Sequence, residues 1–344
     1  MTFAELLQNN YIFLDGGMGT MLQANGMQAG ERPELLNLKD PALVEQVQRA
    51  YVEAGSNIIC SNTFGANRTK LTGSGATVQQ VIPAAIQCAR RAAAGKALVA
   101  LDLGPTGQML EPTGSLTFEQ AYDLYAEQVD GGQEADLILI ETMTDLYEIR
   151  AAVLAAKEHG NGKPVIALMT FEHTGRTFTG CSVSAMALTL EGLGVDAMGI
   201  NCSIGPDELY PVVEELCRWT TLPLLIKPNA GLPDPVTNQY NVSSAEFARS
   251  MTRIAKLGVK LRGGCCGTTP DYIRAVREAV ADLSFTPRQV QVPAAVCSYS
   301  RTVAIDRPRV IGERINPTGK KLFKEALLRG DIDYILGQAI TQVH

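Results

Sequence analysis

The sequence predicts an α/β protein: a (β/α)8 TIM barrel, then a linker, then the first elements of a second domain. Short runs rich in Val, Ile and Leu recur along the chain, and longer segments with apolar residues at helical spacing separate them. Nearly continuous apolar runs are typical of strands buried on both faces of a parallel sheet. The alternation also persists for about the length of a typical (β/α)8 barrel, which is roughly 250 residues.

Eight of these runs are strand candidates, and the segments between them carry helix start and stop signals. Clear helical patterns occupy residues 41–55, 118–132 and 243–258. A doubly wound open sheet is the alternative, but it usually needs fewer strands. It also gives no reason for polar and Gly-rich residues at so many strand ends. The strand candidates are 11–15, 57–62, 97–104, 137–142, 164–171, 197–203, 222–230 and 259–267.

The pattern changes after the eighth strand candidate, and we assign residues 1–283 to the barrel. Residues 284–308 contain three prolines and no helical period, which predicts a linker. Residues 309–344 have a strand–loop pattern followed by a helical segment. One strand and one or two helices cannot bury a core alone. We therefore expect this last part to be the start of an incomplete domain.

The composition disfavours nucleic-acid and membrane partners. The formal net charge is −6, the pI is about 5.3, and no block of Lys and Arg stands out. No run approaches the roughly 18 apolar residues of a membrane-spanning helix, and the N-terminus lacks a signal-peptide pattern. We expect a cytoplasmic protein, in which the eight cysteines are buried or bind metal rather than forming a disulfide framework.

The strongest chemical signal is the adjacent pair Cys265 and Cys266 within Gly-Gly-Cys-Cys-Gly, at the end of the eighth strand candidate. Neighbouring side chains of a strand point to opposite faces, so both thiols can face one point only where the flanking glycines let the backbone bend. Cys202 ends the sixth candidate, and all barrel strands end on the catalytic face. Three converging thiolates predict a zinc site with an open fourth position. Packing beside a tight turn, or a strained disulfide between Cys265 and Cys266, is the alternative.

Polar residues at other strand ends predict an amino-acid pocket on the same face. Asp15, Gly16 and Gly17 precede a helix whose free N–H groups suit a carboxylate, and Asp15 itself suits an ammonium group. Glu141 ends an otherwise apolar strand and would be a second ammonium ligand. A phosphate-binding or plain βα turn, and a structural ion pair for Glu141, are the alternatives. Asp102 would either line the pocket or brace the loop after it. Further hydrogen bonds at this rim are expected from Asn62, Thr63 and Asn201.

Six motifs, taken in order, resemble those of the homocysteine S-methyltransferase family: DGGMGT, SNTFGAN, LGPTG, LILIETM, GINCS and GGCCG. The resemblance covers roughly residues 1–283. It implies a (β/α)8 barrel in which Cys202, Cys265 and Cys266 hold Zn2+, while the Asp15 loop and Glu141 hold homocysteine. It also implies methyl transfer to homocysteine, giving methionine. The family's donors are methylcobalamin, betaine, S-methylmethionine and S-adenosylmethionine.

The tail favours one of these donors. RVIGERINPTG, at 309–319, resembles the start of the pterin-binding domain that follows the homocysteine barrel in the cobalamin-dependent members of the family. This resemblance implies that methylcobalamin is the donor and that a cobalamin-binding domain or protein outside this chain carries it. It also implies that folate takes part only through the missing remainder.

Three other functions stay open on the sequence. The first is a freestanding methyltransferase that uses betaine or S-methylmethionine. The second is a zinc-carrying scaffold module without catalysis. The third is a phosphate-binding barrel aldolase, for which Lys227, at the end of the seventh strand candidate, would be the catalytic amine.

Overall fold

The computed structural model describes residues 1–28, 30–234, 239–313 and 315–343. The chain divides into two compact units, Met1–Val303 and Ala304–His344. Arg314, within the pterin-like motif, and His344 lie outside the described residues.

Within the part of the chain that the structure describes, eight short parallel strands build the first unit. They are β1 (Ile12–Phe13), β2 (Ile58–Cys60), β3 (Leu98–Leu103), β4 (Leu137–Met143), β5 (Val165–Met169), β6 (Ala197–Asn201), β7 (Leu224–Lys227) and β8 (Leu261–Arg262). The hydrogen-bonded order is β1-β8-β7-β6-β5-β4-β3-β2. A parallel bridge between Leu14 and Ile58 joins the two outer strands, so the sheet closes on itself. The predicted (β/α)8 barrel is confirmed.

In the first unit, helices connect successive strands and surround the barrel. The described helices are α1 (Phe3–Leu6), α2 (Met18–Ala24), a 3-10 turn (Pro33–Leu35), α3 (Leu36–Lys39), α4 (Pro41–Ala54), α5 (Arg68–Leu71), α6 (Val78–Ala93), α7 (Phe118–Gly131), α8 (Leu146–His159), α9 (Val183–Gly192), α10 (Pro206–Leu216), α11 (Ser244–Lys256), α12 (Pro270–Ala279), α13 (Lys321–Arg329) and α14 (Ile332–Val343). The helix predicted at 41–55 begins and ends as its sequence pattern indicates. The Asp40 side chain caps the N-terminus of α4, and Gly55, with φ +102°, ends the helix. Among the described residues, none of these helices is long and apolar enough to cross a membrane.

The strands are buried on both faces, as their apolar runs predict. Inward-facing residues such as Leu137 and Leu139 form an inner core, to which Phe3 of α1 also belongs. The residues between them, such as Ile138 and Ile140, pack against the helices in a larger outer core. This alternation fixes which side chains of each strand reach the barrel interior.

The first unit extends past residue 283, where the sequence pattern places the end of the barrel. Arg288 donates hydrogen bonds to the carbonyl oxygens of Gly258, at 2.8 Å, and Leu222, at 2.6 Å. A hairpin follows, formed by β9 (Ala295–Cys297) and β10 (Thr302–Ala304). Cys297 of this hairpin packs against the outer core. Much of the predicted linker 284–308 is therefore part of the first compact unit.

The second unit contains α13 and α14. Phe323 and Ala326 of α13 are buried, whereas none of the described residues of α14 is buried. Large apolar side chains are exposed on both helices, among them Leu328 and Val343. Most of the apolar surface of this unit is therefore in contact with solvent.

Candidate active site

The inner core of the barrel ends in a layer of polar side chains. In β4, the inward residues Leu137 and Leu139 are followed by Glu141, and in β7 the inward Leu225 is followed by Lys227. Inward positions recur every second residue of a strand. The side chain at the last inward position of each of these strands therefore belongs to this polar layer. The other strands contribute Cys60, Asp102 and Asn201 to the same layer.

Cys202, Cys265 and Cys266 converge beside this layer. Their Sγ atoms lie within 4.8 Å of one another, and within the described ranges these are the only three Cys, His, Asp or Glu residues placed to share a metal ion. All three are half-buried free thiols. A tetrahedral zinc ion with bonds of about 2.3 Å holds its sulfurs about 3.8 Å apart. The three thiols therefore fit zinc by donor type and by spacing.

A left-handed turn aims Cys202 into the site. Cys202 has φ +64° and Ser203 has φ +67°, conformations that cost a non-glycine residue roughly 1–2 kcal/mol. The Cys202 N–H donates to the Lys227 carbonyl at 3.0 Å, and the Ile204 N–H donates to the Cys202 carbonyl at 3.0 Å. A regular strand would point Cys202 away from the side on which Asn201 lies. The turn is therefore what allows two neighbouring residues to serve one site.

Asn229 connects the two backbone segments that carry the thiols. Its Oδ1 accepts a hydrogen bond from the Cys266 N–H at 3.1 Å, and its Nδ2 donates to the Ser203 carbonyl at 3.2 Å. Asn229 is buried. It therefore fixes the separation between the turn of Cys202 and the turn of Cys266.

The cysteine pair packs against the loop after β1. A Cβ atom at Gly17 would lie 2.8 Å from the Cys265 carbonyl oxygen, so this contact requires glycine. On the other side of the pair, Gly267 has φ +79° and its N–H donates to Thr20 Oγ1 at 3.0 Å. The predicted glycine loop and the predicted cysteine pair are thus one packed unit.

The three sulfurs interact strongly with one another. Hydrogen bonds from Cys265 and Cys266 lower the pKa of the Cys202 thiol to about 3. The same bonds to Cys202 raise the pKa of Cys266 to about 11 and that of Cys265 well above its usual value. Burial, together with the nearby Cys266, raises the pKa of Tyr240 to about 12. The three sulfurs are thus close enough to act as a group.

A cavity of about 230 Å³ opens beside the thiols. This volume is below the roughly 300–1,000 Å³ of pockets for drug-sized ligands and suits a small metabolite. Of the residues predicted for the site, those that line the cavity are Gly16, Gly17, Asn62, Glu141, Cys202, Cys265 and Cys266. Those that do not line it are Asp15, Thr63 and Asn201.

The three predicted residues outside the cavity wall have defined partners. The Asp15 carboxylate accepts the Cys60 N–H at 2.6 Å, and the Thr63 hydroxyl donates to the Asp102 carbonyl at 2.8 Å. Asn201 is fully buried, and its amide oxygen accepts the Thr142 N–H at 2.7 Å. Asp15, Thr63 and Asn201 therefore form hydrogen bonds to residues that line the cavity, without lining it themselves.

A buried lysine lies among the carboxylates. Lys227 Nζ is 2.8 Å from Glu141 Oε2 and 3.7 Å from Asp15 Oδ1, and the lysine is 2% exposed. Burial raises the pKa of Glu141, and the charge of Lys227 opposes this rise. Burial acts to lower the pKa of Lys227, but Cys60 and the two carboxylates outweigh it and raise that pKa well above its usual value. A Schiff-base lysine needs a free amine, so this pairing argues against the aldolase alternative.

The sequence is compatible with two roles for Asp102, and the structure places this residue on the cavity wall. Burial raises the pKa of its carboxyl well above the usual value, and the neighbouring Glu141 charge adds to the rise. Its Oδ1 is inaccessible to water and has no hydrogen-bond partner among the described residues. A buried carboxylate oxygen without a partner is costly in its charged form, which agrees with the raised pKa of this carboxyl.

The sequence and the fold match those of known methyltransferases. The family model for homocysteine S-methyltransferase matches residues 12–280. Methionine synthases of Mycobacterium tuberculosis and Mycobacterium leprae are each 34% identical to this chain, and each match covers 98% of it. The chain spans about 30% of the length of either relative. The metallated form of the homocysteine methyltransferase MmuM from Escherichia coli superposes with a TM-score of 0.70 at 24% identity, over 80% of this chain and 98% of that one. This last likeness supports the barrel fold.

Proposed function

This chain belongs to the homocysteine S-methyltransferase family, and from that membership we propose that it is the homocysteine-activating, N-terminal part of a cobalamin-dependent methionine synthase. The proposed reaction is zinc-dependent methyl transfer to the sulfur of homocysteine, giving methionine. The observation that carries the proposal is the set of three converging thiols at the edge of a small cavity lined by three buried carboxylates, those of Glu34, Asp102 and Glu141. A thiol and an amino group are the two ends of homocysteine, so both halves of the site have a counterpart in the substrate.

Cys202, Cys265 and Cys266 would hold the zinc ion at the edge of the cavity that takes the substrate. When bound, zinc supplies Lewis-acid chemistry that keeps a coordinated thiol deprotonated at neutral pH. Other residues of this chain fix the positions of the three cysteines and of the loop after β1. The left-handed turn and Asn229 fix the cysteines, and Gly17 lets the loop after β1 approach them closely.

Glu141 and Asp102 would take the ammonium group of the amino acid. Both line the cavity, and both are buried. Lys227 carries one positive charge against the two carboxylates that it contacts, Asp15 and Glu141, so the carboxylates exceed the lysine and the local field favours a cation. The sequence suggests Asp15 as an ammonium ligand. Since Asp15 does not line the cavity, it would attract the ammonium group by its charge and not by direct contact.

Replacing Glu141 by glutamine should weaken homocysteine binding about tenfold or more, because a hydrogen bond to a charged group contributes about 1.5–3 kcal/mol. Asp102→Asn should act in the same direction. Calorimetric titration of the zinc-loaded protein with homocysteine measures the affinity, and metal analysis checks that zinc is retained. Glu148→Gln is the matched control, since Glu148 is equally buried but binds Thr106 and Tyr125 outside the cavity. Unchanged affinity in both cavity variants would move the ammonium site elsewhere.

The cobalamin context rests on the relatives and on the second unit. The curated relatives are methionine synthases of more than three times this length. The exposed apolar side chains of α13 and α14 fit helices that start a larger domain, as the pterin-like motif at 309–319 predicts. We therefore propose methylcobalamin as the donor, carried by a cobalamin-binding domain or protein, with folate used through the rest of a pterin-binding domain. The cytoplasmic location stays a prediction.

The choice of methyl donor is the direct test of this proposal. With zinc and homocysteine present, the chain should form methionine from free methylcobalamin. The rate should be low, because an untethered donor lacks the high effective concentration that a linked domain supplies. Methylcobalamin, methyltetrahydrofolate, betaine and S-methylmethionine are offered separately, and methionine is quantified.

Each other outcome of the donor assay supports a different function. Fast turnover with betaine or S-methylmethionine, and none with methylcobalamin, would indicate a freestanding methyltransferase. Homocysteine binding without methionine from any donor would indicate the scaffold module. Cys202→Ala serves as the negative control, since it should be inactive with every donor.

A further inference from the structure

Strand β4 is irregular at the point where it reaches the cavity. Ile138 and Ile140 face the outer core, and the regular alternation would turn Met143 inward, yet Met143 also packs in the outer core. The register with β5 shifts between Ile140 and Met143, and Thr142 has φ +64°. This bulge places two consecutive side chains, Glu141 and Thr142, on the cavity wall.

The bulge is held by the side chain of Asn201, from a strand that is not hydrogen-bonded to β4. Asn201 Oδ1 accepts the Thr142 N–H at 2.7 Å, and Asn201 Nδ2 donates to Thr142 Oγ1 at 2.8 Å. A positive φ is a genuine outlier for a β-branched residue and persists only where surrounding contacts enforce it. Two hydrogen bonds to one residue supply that enforcement for Thr142.

The same amide also faces the metal-binding thiols. Asn201 Nδ2 lies 3.8 Å from Cys265 Sγ. The Thr142 N–H can act only as a donor, so the amide oxygen must face it and the NH2 group must face the sulfur. Asn201 is fully buried, and water does not compete for these contacts.

We propose that Asn201 is a positioning residue that couples the two halves of the site. Through the Thr142 bulge it aims Glu141 at the substrate's amino group, and through its N–H it stabilises the negative charge of the Cys265 thiolate when a metal is bound. This inference rests on the proposed function, and it assigns to Asn201 a role distinct from direct contact with homocysteine. Partners behind the ligands of a metal site typically change metal affinity by roughly 10- to 100-fold when they are lost.

Asn201→Asp separates the two contacts. The variant keeps an acceptor for the Thr142 N–H but replaces the donor that faces Cys265. We expect zinc affinity to fall by roughly 10- to 100-fold. In the cobalt(II)-substituted protein, the sulfur-to-cobalt charge-transfer band should shift to lower energy, because a thiolate without its N–H donor is more electron-rich. A residue that only supports the fold would not move this band in a folded variant.

Thr142→Gly tests the other contact, because glycine adopts a positive φ without enforcement. It should leave the cobalt band in place. Asn201→Ala should weaken homocysteine binding about tenfold or more. Adding Thr142→Gly to Asn201→Ala should restore part of that affinity while the band stays shifted. Asn67→Asp, at another buried asparagine outside the cavity, is the matched control and should change neither measurement.

The outcomes separate this proposal from the proposed function. A wild-type chain that binds no zinc, or binds no homocysteine, contradicts the proposed function before any variant is compared. Folded Asn201→Asp and Asn201→Ala proteins with the wild-type zinc affinity, cobalt spectrum and homocysteine affinity would overturn the role of Asn201. If Asn201→Ala does not fold, the cobalt spectra of Asn201→Asp and Thr142→Gly alone decide whether Asn201 has the proposed role.

Discussion

Replacing Cys202 by alanine is expected to reduce bound zinc from one ion per chain to a trace. The three Sγ atoms lie within 4.8 Å of one another, and removing one leaves two thiolates, fewer than the three protein ligands of a typical catalytic zinc site. Cys265→Ala and Cys266→Ala should have the same effect, because the ions of such sites are held by all their ligands together. Zinc per chain is measured by metal analysis after dialysis against a weak chelator.

Cys297→Ala is the matched control for this experiment. Cys297 is also a half-buried free thiol, but it lies on the β9–β10 hairpin, within hydrogen-bonding distance of the α9 residue Thr189. This variant should keep one zinc per chain. Stoichiometric zinc in Cys202→Ala would show that the metal is held elsewhere, and loss of zinc in Cys297→Ala would show that any cysteine change disturbs the fold.

The barrel could be predicted because its strands are buried on both faces, which leaves continuous apolar runs in the sequence. The ends of the strands were less predictable. The run at 259–267 forms a strand only over Leu261–Arg262, because the backbone then leaves the ladder to build the cysteine turn. The packing of 284–303 on the barrel could not be predicted, since it depends on contacts such as those of Arg288 with carbonyl oxygens. Such contacts leave no periodic pattern.

The convergence of Cys202, Cys265 and Cys266 was predictable from residue type and position at strand ends, whereas the backbone geometry that brings the thiols together was not. A period of two would place Cys202 on the outside of the barrel, and the left-handed turn that reverses it has no signal in the residues themselves. The same holds for the bulge at Thr142. Backbone irregularities of this kind are enforced by distant partners such as Asn201 and Asn229.

The sequence carries a positional signal for Asp102 and Lys227. Counting inward positions along β3 gives Leu98, Ala100 and then Asp102, and the same count along β7 ends at Lys227. A charged residue at the last inward position of a barrel strand faces the catalytic end. This rule predicts both residues for the site. It does not predict that Lys227 pairs with Glu141, because that contact crosses the barrel interior between non-adjacent strands.

Lys227→Met is expected to destabilise the folded protein by about 3–5 kcal/mol, the usual cost of removing one partner of a buried ion pair. Glu141 and Asp15 would then be buried carboxylates without their cation. The pKa of Lys227 is raised in the folded state. Its stabilising effect is therefore complete below the unfolded-state pKa of about 10.4 and is lost as the pH rises through the folded-state value. Urea unfolding from neutral pH to pH 11 measures this profile.

The destabilisation by Lys227→Met should also shrink at acidic pH. Burial already raises the pKa of Glu141, and without Lys227 this carboxyl would take up a proton more readily, which removes the unpaired charge. Lys157→Met is the control: Lys157 lies 3.1 Å from Asp196 in a partly exposed pair, which contributes roughly 0–1 kcal/mol. Equal stability losses for Lys227→Met and Lys157→Met at neutral pH, with no dependence on pH, would show that Lys227 does not balance the charge of the cavity.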